Sequence, residues 1–287
     1  MTHKRSSKSI MIVWLLLLLS ICVTVFSGYQ LWEILLTYEE GDRNYRQLQE
    51  QVRVQDKEKH KEEEGEEDKE SAGGGAVVAP SENTVNSIES EARPLVKVPP
   101  LSIDFELLKK VNADSAAWLY CPDTVIDYPV MRADDYEWYL RRLPDGSSNA
   151  NGSLFLDYNC SPDFSGRLNI IYGHNMKSGK MFGSLTEYKK QDYFDRHPYM
   201  YLYTEHENYR VDLLYGCVIR AGDWRERAFM YEVNLEALLT CASSTTTFKS
   251  AAAYTDTDRF VVLSTCSYEF DDARYIIVGV LRPEYEV

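Results

Sequence analysis

The chain is poor in cysteine, with six in 287 residues. None is spaced as C-x-x-C, and none stands near histidines in a zinc pattern, so a structural metal site is not expected. Cys22 lies in an apolar run. The other five, Cys121, Cys160, Cys217, Cys241 and Cys266, are odd in number, which excludes a fully paired disulfide framework. A Cys121–Cys160 bridge stays open. Cys217 and Cys241 lie in apolar text and read as buried small hydrophobes, and Cys266 reads as a free thiol. Positive charge is also scarce: 31 Lys and Arg against 45 Asp and Glu leave a net charge of −14. The basic side chains are not clustered with aromatics in a strip, which argues against a nucleic-acid partner. Of five histidines, His3 lies in the N-terminal tail, His60 in a charged run, and His197 and His206 in polar loop text. Only His174 follows an apolar strand and a glycine.

What is present is segregated along the chain. Lys4, Arg5 and Lys8 precede the 17-residue apolar run Ile10 to Phe26, and Glu39, Glu40 and Asp42 follow it. That length is at the short end of the ~17–25 residues that cross a bilayer, with Tyr29 and Trp32 placed to extend it into the interface. Val25-Phe26-Ser27 lacks the small-residue look of a cleavage site, so the run reads as an uncleaved signal anchor rather than a cleaved signal peptide. The charge asymmetry makes residues 1–28 a cytoplasmic tail and single-pass membrane segment, with the remainder extracellular.

Residues 29–98 read as a stalk. Tyr29 to about Val54 looks helical, but Leu31, Leu35, Leu36, Leu48 and Val52 are too scattered for a heptad. Asp56 to Ser71 carries nine acidic and four basic residues, followed by Ala72-Gly73-Gly74-Gly75-Ala76 and polar text to Glu91. Such composition cannot bury a core and predicts a disordered, extended spacer.

Residues 99–287 are expected to form the folded domain. Asp104–Asn112 reads as a helix with Phe105, Leu107, Leu108 and Val111 on its apolar side. Strand text follows at Ala117–Cys121, Val125–Met131, Ser153–Asp157, Leu168–Tyr172, Tyr199–Thr204, Tyr209–Ile219, Phe260–Thr265 and Tyr275–Leu281. Helical text interrupts it at Asp135–Leu140, Lys180–Tyr188 and Leu235–Cys241, the last capped by Asn234. Many strands with few helices predict a mainly β fold, a closed or nearly closed barrel with helical decorations.

The chemistry is concentrated near the C-terminus. Cys266 ends an apolar, β-prone run, and Arg274 opens the next one eight residues later. A strand–Cys–loop–Arg–strand unit holds a thiol and a guanidinium side by side at the rim of a sheet, suiting covalent acyl chemistry with a cation beside the developing oxyanion. Arg274 could instead pair with Asp271 or Asp272. His174 closes the upstream strand Asn169-Ile170-Ile171-Tyr172.

These segments resemble the sortases, cysteine transpeptidases of Gram-positive cell surfaces. Leu263-Ser264-Thr265-Cys266 is similar to the core of the family's TLxTC signature, with Val262 in place of the leading threonine. Ile126-Asp127-Tyr128-Pro129-Val130, Gly152-Ser153-Leu154-Phe155-Leu156-Asp157, Tyr172-Gly173-His174-Asn175-Met176 and Met181-Phe182-Gly183 follow class B in order. One departure is Asp134-Asp135-Tyr136, where class B often has an Asp-Asn pair. The resemblance implies an eight-stranded sortase barrel in which Leu235–Cys241 is the helix between strands six and seven bordering the substrate groove. It implies His174, Cys266 and Arg274 as the catalytic set, with Asn175, Ser264 and Thr265 as orienting or substrate-binding residues, and no cofactor. It implies partners as well: surface proteins bearing a C-terminal sorting pentapeptide, cleaved after threonine, and a cell-wall amine, chiefly of a peptidoglycan precursor, as acceptor. The rival readings are a secreted Cys-His peptidase that hydrolyses its acyl-enzyme and a membrane-tethered binding module that has kept the barrel and lost the chemistry.

Overall fold

A computed structural model describes residues 7–53, 99–222 and 235–284. The stretch 56–91 read as disordered, His3, His60 and the Asn234 cap lie outside the described residues. All eight expected strands are present: β1 Ser115–Tyr120, β2 Asp127–Met131, β3 Leu154–Leu156, β4 Leu168–Tyr172, β5 Tyr199–Thr204, β6 Asn208–Arg220, β7 Arg259–Cys266 and β8 Ala273–Glu284. They close into a barrel in the order β1-β2-β3-β4-β7-β8-β6-β5. β4 and β7 are parallel neighbours and are almost continuously buried, as strands covered on both faces are. Their Ile, Val, Leu and Phe side chains fill the main core with those of β8. The β-branched runs that predicted strands are these same residues, packing a pleated surface.

The α-helices placed among the described residues include α1 Ser7–Val52, α2 Phe105–Val111, α3 Gln191–Arg196 and α4 Leu235–Thr245. α2 starts where Asp104 accepts a hydrogen bond from Leu107 N, 2.8 Å away, a side-chain N-cap. α4 lies between β6 and β7 and runs past the expected Cys241, with Ser244 and Thr245 hydroxyls donating back to Cys241 O. The helical text at Asp135–Leu140 and Lys180–Tyr188 forms tighter 3-10 turns, Trp138–Arg141 and Gly183–Lys189. Asp135 sets the start of the first by accepting from both Glu137 N and Trp138 N, 2.8 and 2.7 Å away.

Residues 29–53, read as the helical start of a stalk, are helical, but from Gly41 onward they dock on the barrel instead of standing free of it. α1 is one helix of 46 residues. Its side chains from Met11 to Leu36 are exposed, whereas Gly41, Tyr45, Leu48 and Val52 are buried against the barrel. These positions recur at three- and four-residue spacing, one helix face. Leu48 and Val52 pack with Phe105, Leu108, Trp118 and Tyr203. Arg53 pairs with Asp127, which also accepts from Trp118 Nε1, 2.8 Å away. Asp104 N donates to Val52 O at 2.8 Å, and Arg53 and Ile103 form an antiparallel bridge. The two flanks of residues 54–98 therefore meet, and it is α1 that joins the apolar run to the barrel. The run belongs to the one helix, among the described residues, long and apolar enough to cross a membrane.

Candidate active site

The parallel register of β4 and β7 brings the separate motifs together. Tyr172 stands opposite Ser264, so Gly173-His174, just past the end of β4, runs beside Thr265-Cys266, the last residues of β7. Three hydrogen bonds lace them. Gly173 N donates to Ser264 O at 3.1 Å, Thr265 Oγ1 to Gly173 O at 2.8 Å and Asn175 Nδ2 to Cys266 O at 2.7 Å. Asn175, Ser264 and Thr265 thus lock the histidine segment to the cysteine segment, Ser264 through its backbone carbonyl. Across the antiparallel β7–β8 pair Cys266 is directly opposite Arg274. Cys266, His174 and Arg274 are half-buried, while Ser264 and Thr265 are buried.

The alternative partner for Arg274 is not observed. Among the described residues it makes no ion pair with Asp271 or Asp272; its Nη1 donates to Ala273 O at 3.0 Å. Its other donors have no partner among the described residues, and its strand position faces that of Cys266.

His174 Nε2 lies 2.7 Å from Leu140 O. A carbonyl only accepts, so Nε2 carries the hydrogen and Nδ1 is the ring nitrogen left for proton exchange. Leu140 belongs to the Trp138–Arg141 turn, a contributor that the sequence did not reveal, because a backbone carbonyl has no residue signature. A second unforeseen group lies on the other flank. Lys189 pairs with Glu269 and donates to Ser267 Oγ at 2.9 Å, and Ser267 in turn donates to Glu269. With Asn175, Thr186 and Tyr268 they line a cleft of about 250 Å³ next to Cys266.

The remaining thiols differ in environment. All six cysteines are free, which removes the Cys121–Cys160 bridge, and Cys121, Cys160 and Cys217 are buried while Cys241 is half-buried. Burial raises the Cys121 pKa above the ordinary thiol value and pushes that of Cys217 up to about 12. Both stay protonated at neutral pH and make poor nucleophiles. His197 is buried and held by Tyr193 O, 2.9 Å from its Nδ1, and His206 faces Glu205 on the surface. Among the described residues no group of three or more His, Cys, Asp or Glu is placed to hold a metal.

The sortase-domain family model matches residues 119–282, from β1 through β8. The chain belongs to the sortase family. Sortase B of Listeria monocytogenes is 32% identical over 178 residues, covering 61% of this chain and 72% of that protein. Sortase B of Staphylococcus aureus is 25% identical over 179 residues, covering 62% and 73%. A solved Bacillus anthracis protein described as similar to sortase B is 29% identical, with a TM-score of 0.56 over 64% of this chain and 85% of that one. The likeness is to sortase B, and sortase membership implies a cysteine transpeptidase.

Proposed function

We propose that this sortase is a membrane-anchored transpeptidase that cleaves a C-terminal sorting signal after threonine and transfers the protein to a cell-wall amine. The observation that carries the reading is the laced β4–β7 end, which sets the His174 segment beside that of Cys266, with Arg274 opposite Cys266 on β8. Cys266 gives its proton to His174 Nδ1 and, as thiolate, attacks the threonine carbonyl of the sorting pentapeptide. Arg274 holds the oxyanion with charge-assisted hydrogen bonds. His174 gives a proton through Nδ1 to the leaving amide nitrogen, so that the C–N bond breaks and a thioester forms. The incoming amine loses its proton to the same nitrogen as it displaces Cys266. Asn175, Ser264 and Thr265 keep the two segments in register, and α4 borders the groove that receives the pentapeptide. A peptidoglycan precursor supplies the amine.

The apolar half of α1 is the anchor, with residues 1–28 as cytoplasmic tail and membrane segment, and the domain after it is extracellular. Because α1 continues unbroken onto the barrel, only ~16 Å of helix separates Phe26 from Thr37, whose carbonyl accepts from Asn149 of the domain. The active site is held near the membrane, where lipid-linked wall precursors and exported chains are both found. Membrane fractionation and N-terminal sequencing test the anchor: recovery of a soluble protein starting after Ser27 removes it.

The decisive assay mixes the purified protein with Thr-containing sorting peptides, with and without an amine acceptor. Triglycine is one acceptor to include, since a sortase B has been solved in complex with that peptide; a diamino acid is another. A ligated product supports the transpeptidase, hydrolysis in both arms points to a Cys-His peptidase, and no turnover points to a barrel without chemistry.

A further inference from the structure

The docked half of α1 touches the loop that supports His174. Asn149 Nδ2 donates to Thr37 O at 2.9 Å and Asn151 Nδ2 to Tyr38 O at 3.4 Å. The approach requires Gly41, since a side chain there would occupy the Asn151 amide. One turn on, the buried Tyr45 hydroxyl donates to Gly152 O at 2.6 Å, with Ser153 Oγ 3.2 Å away. Gly152 has φ +59, and a Cβ on it would lie 2.6 Å from Leu140 O and 3.0 Å from His174 Cδ2. Its bare backbone therefore lies against both the imidazole and the carbonyl that fixes its tautomer, with no room for a side chain. Ser153 clips the same turn at both ends, through N to Tyr139 O at 2.9 Å and Oγ to Arg142 O at 2.8 Å.

We infer that Tyr45 is a positioning residue for His174: the anchor helix, through the Tyr45–Gly152 hydrogen bond, holds the Leu140 carbonyl and the imidazole in working register. The kinetic part of this inference rests on the sortase reading above. Its physical content is that the anchor helix completes the active site as well as tethering it. A catalytic domain severed after Tyr45 would retain Cys266, His174 and Arg274 but lose the support under His174.

The test uses the full chain in detergent micelles, comparing wild type, Tyr45→Phe and Leu48→Ala. Leu48 docks the same helix, but against Trp118 and Tyr203 rather than residues 149–153, so it controls for general loosening. With the phenolic hydrogen gone, kcat for peptide acylation should fall about 10-fold or more at unchanged KM, a part of the ~10²-fold that a ~1 Å misplacement costs. Leu48→Ala should lower Tm more than Tyr45→Phe does and keep kcat. Imidazole ¹H–¹⁵N spectra give a readout independent of peptide turnover. With only five histidines, the His174 Nε2–H signal can be assigned by its loss in His174→Ala. It should be resolved in wild type and Leu48→Ala, and broadened or switched to the other tautomer in Tyr45→Phe. A wild type that makes no acyl-enzyme overturns the transpeptidase reading, while the spectra still decide the positioning role. An unchanged His174 signal in Tyr45→Phe overturns that role. So does a kcat loss in Leu48→Ala as large as that in Tyr45→Phe.

Discussion

On β4, Ile170 and Ile171 are fully buried in the barrel wall; three residues beyond Ile171, His174 stands half-exposed at the rim. On β7, Phe260 to Leu263 make the same wall, and Cys266 stands at the same rim. The wall is fixed by strand register and close packing, and any loss of volume is felt there. The rim is fixed by side-chain hydrogen bonds to backbone, from Thr265 to Gly173 and from Asn175 to Cys266. Reactive groups can therefore be changed at the rim with the fold intact, whereas the wall beneath them cannot be altered without cost.

The largest test of that contrast pairs Cys266→Ala with Ile171→Ala. The first should abolish acyl-enzyme formation, seen by mass spectrometry, and leave Tm in place. The second should lose ~2–5 kcal/mol of stability, as large-to-small changes in cores do. A thiol-directed sulfone should label Cys266 ahead of Cys121 and Cys217, whose burial holds them as thiols. Labelling of either buried cysteine with Cys266 untouched removes the nucleophile assignment. Next in size is His174→Ala, which should lower turnover by the ~10²–10⁴-fold typical of general acid–base groups. Near-normal turnover would hand the role to another base, and His197 is excluded from it by burial.

Arg274 is a finer probe, because an ion pair with Asp271 or Asp272 is its competing role. Arg274→Ala and Arg274→Lys should each lose about 10²–10³-fold in acylation rate, the scale of one oxyanion donor, since a lysine ammonium does not reproduce the planar fork. Asp271→Asn should stay active, because it breaks no ion pair with Arg274. An Arg274→Ala that unfolds, or an Asp271→Asn as inactive as Arg274→Ala, makes the arginine structural.

Wall and rim also differ in how far they were legible in sequence. The eight strands could be read because β-branched and aromatic runs are the physical requirement of a buried pleated sheet. Cys266, His174 and Arg274 could be read because each ends or opens such a run. The supports could not. The docking face of α1 contains Gly41 and Tyr45, which do not register as an apolar stripe, and Tyr45 meets Gly152 across 107 residues. Leu140 acts through its carbonyl. Lys189 reaches Ser267 from 78 residues away. Contacts whose partners are distant and whose atoms are backbone have no local pattern, so the stalk reading broke down at α1, where the helix docks.

The smallest expected effect lies at the cleft flank. Glu269 is 39% exposed and its partner Lys189 29%, so the pair is screened by solvent and worth no more than ~1 kcal/mol. Burial by itself would raise the Glu269 pKa, but hydrogen bonds from Lys189 and Ser267 outweigh it and leave it below the ordinary carboxylate value. A depressed folded-state pKa contributes stability that is fully present above the unfolded pKa, about 4.3, and is lost as pH falls through the lowered folded value. The Tm gap between wild type and Glu269→Gln should therefore be small and constant from neutral pH down to about pH 5, and close only in more acidic solution. Calorimetry across that range checks the sign. A gap that shrinks between pH 8 and 6 would mean that another titrating group, and not the Glu269 carboxylate, holds this flank of the rim.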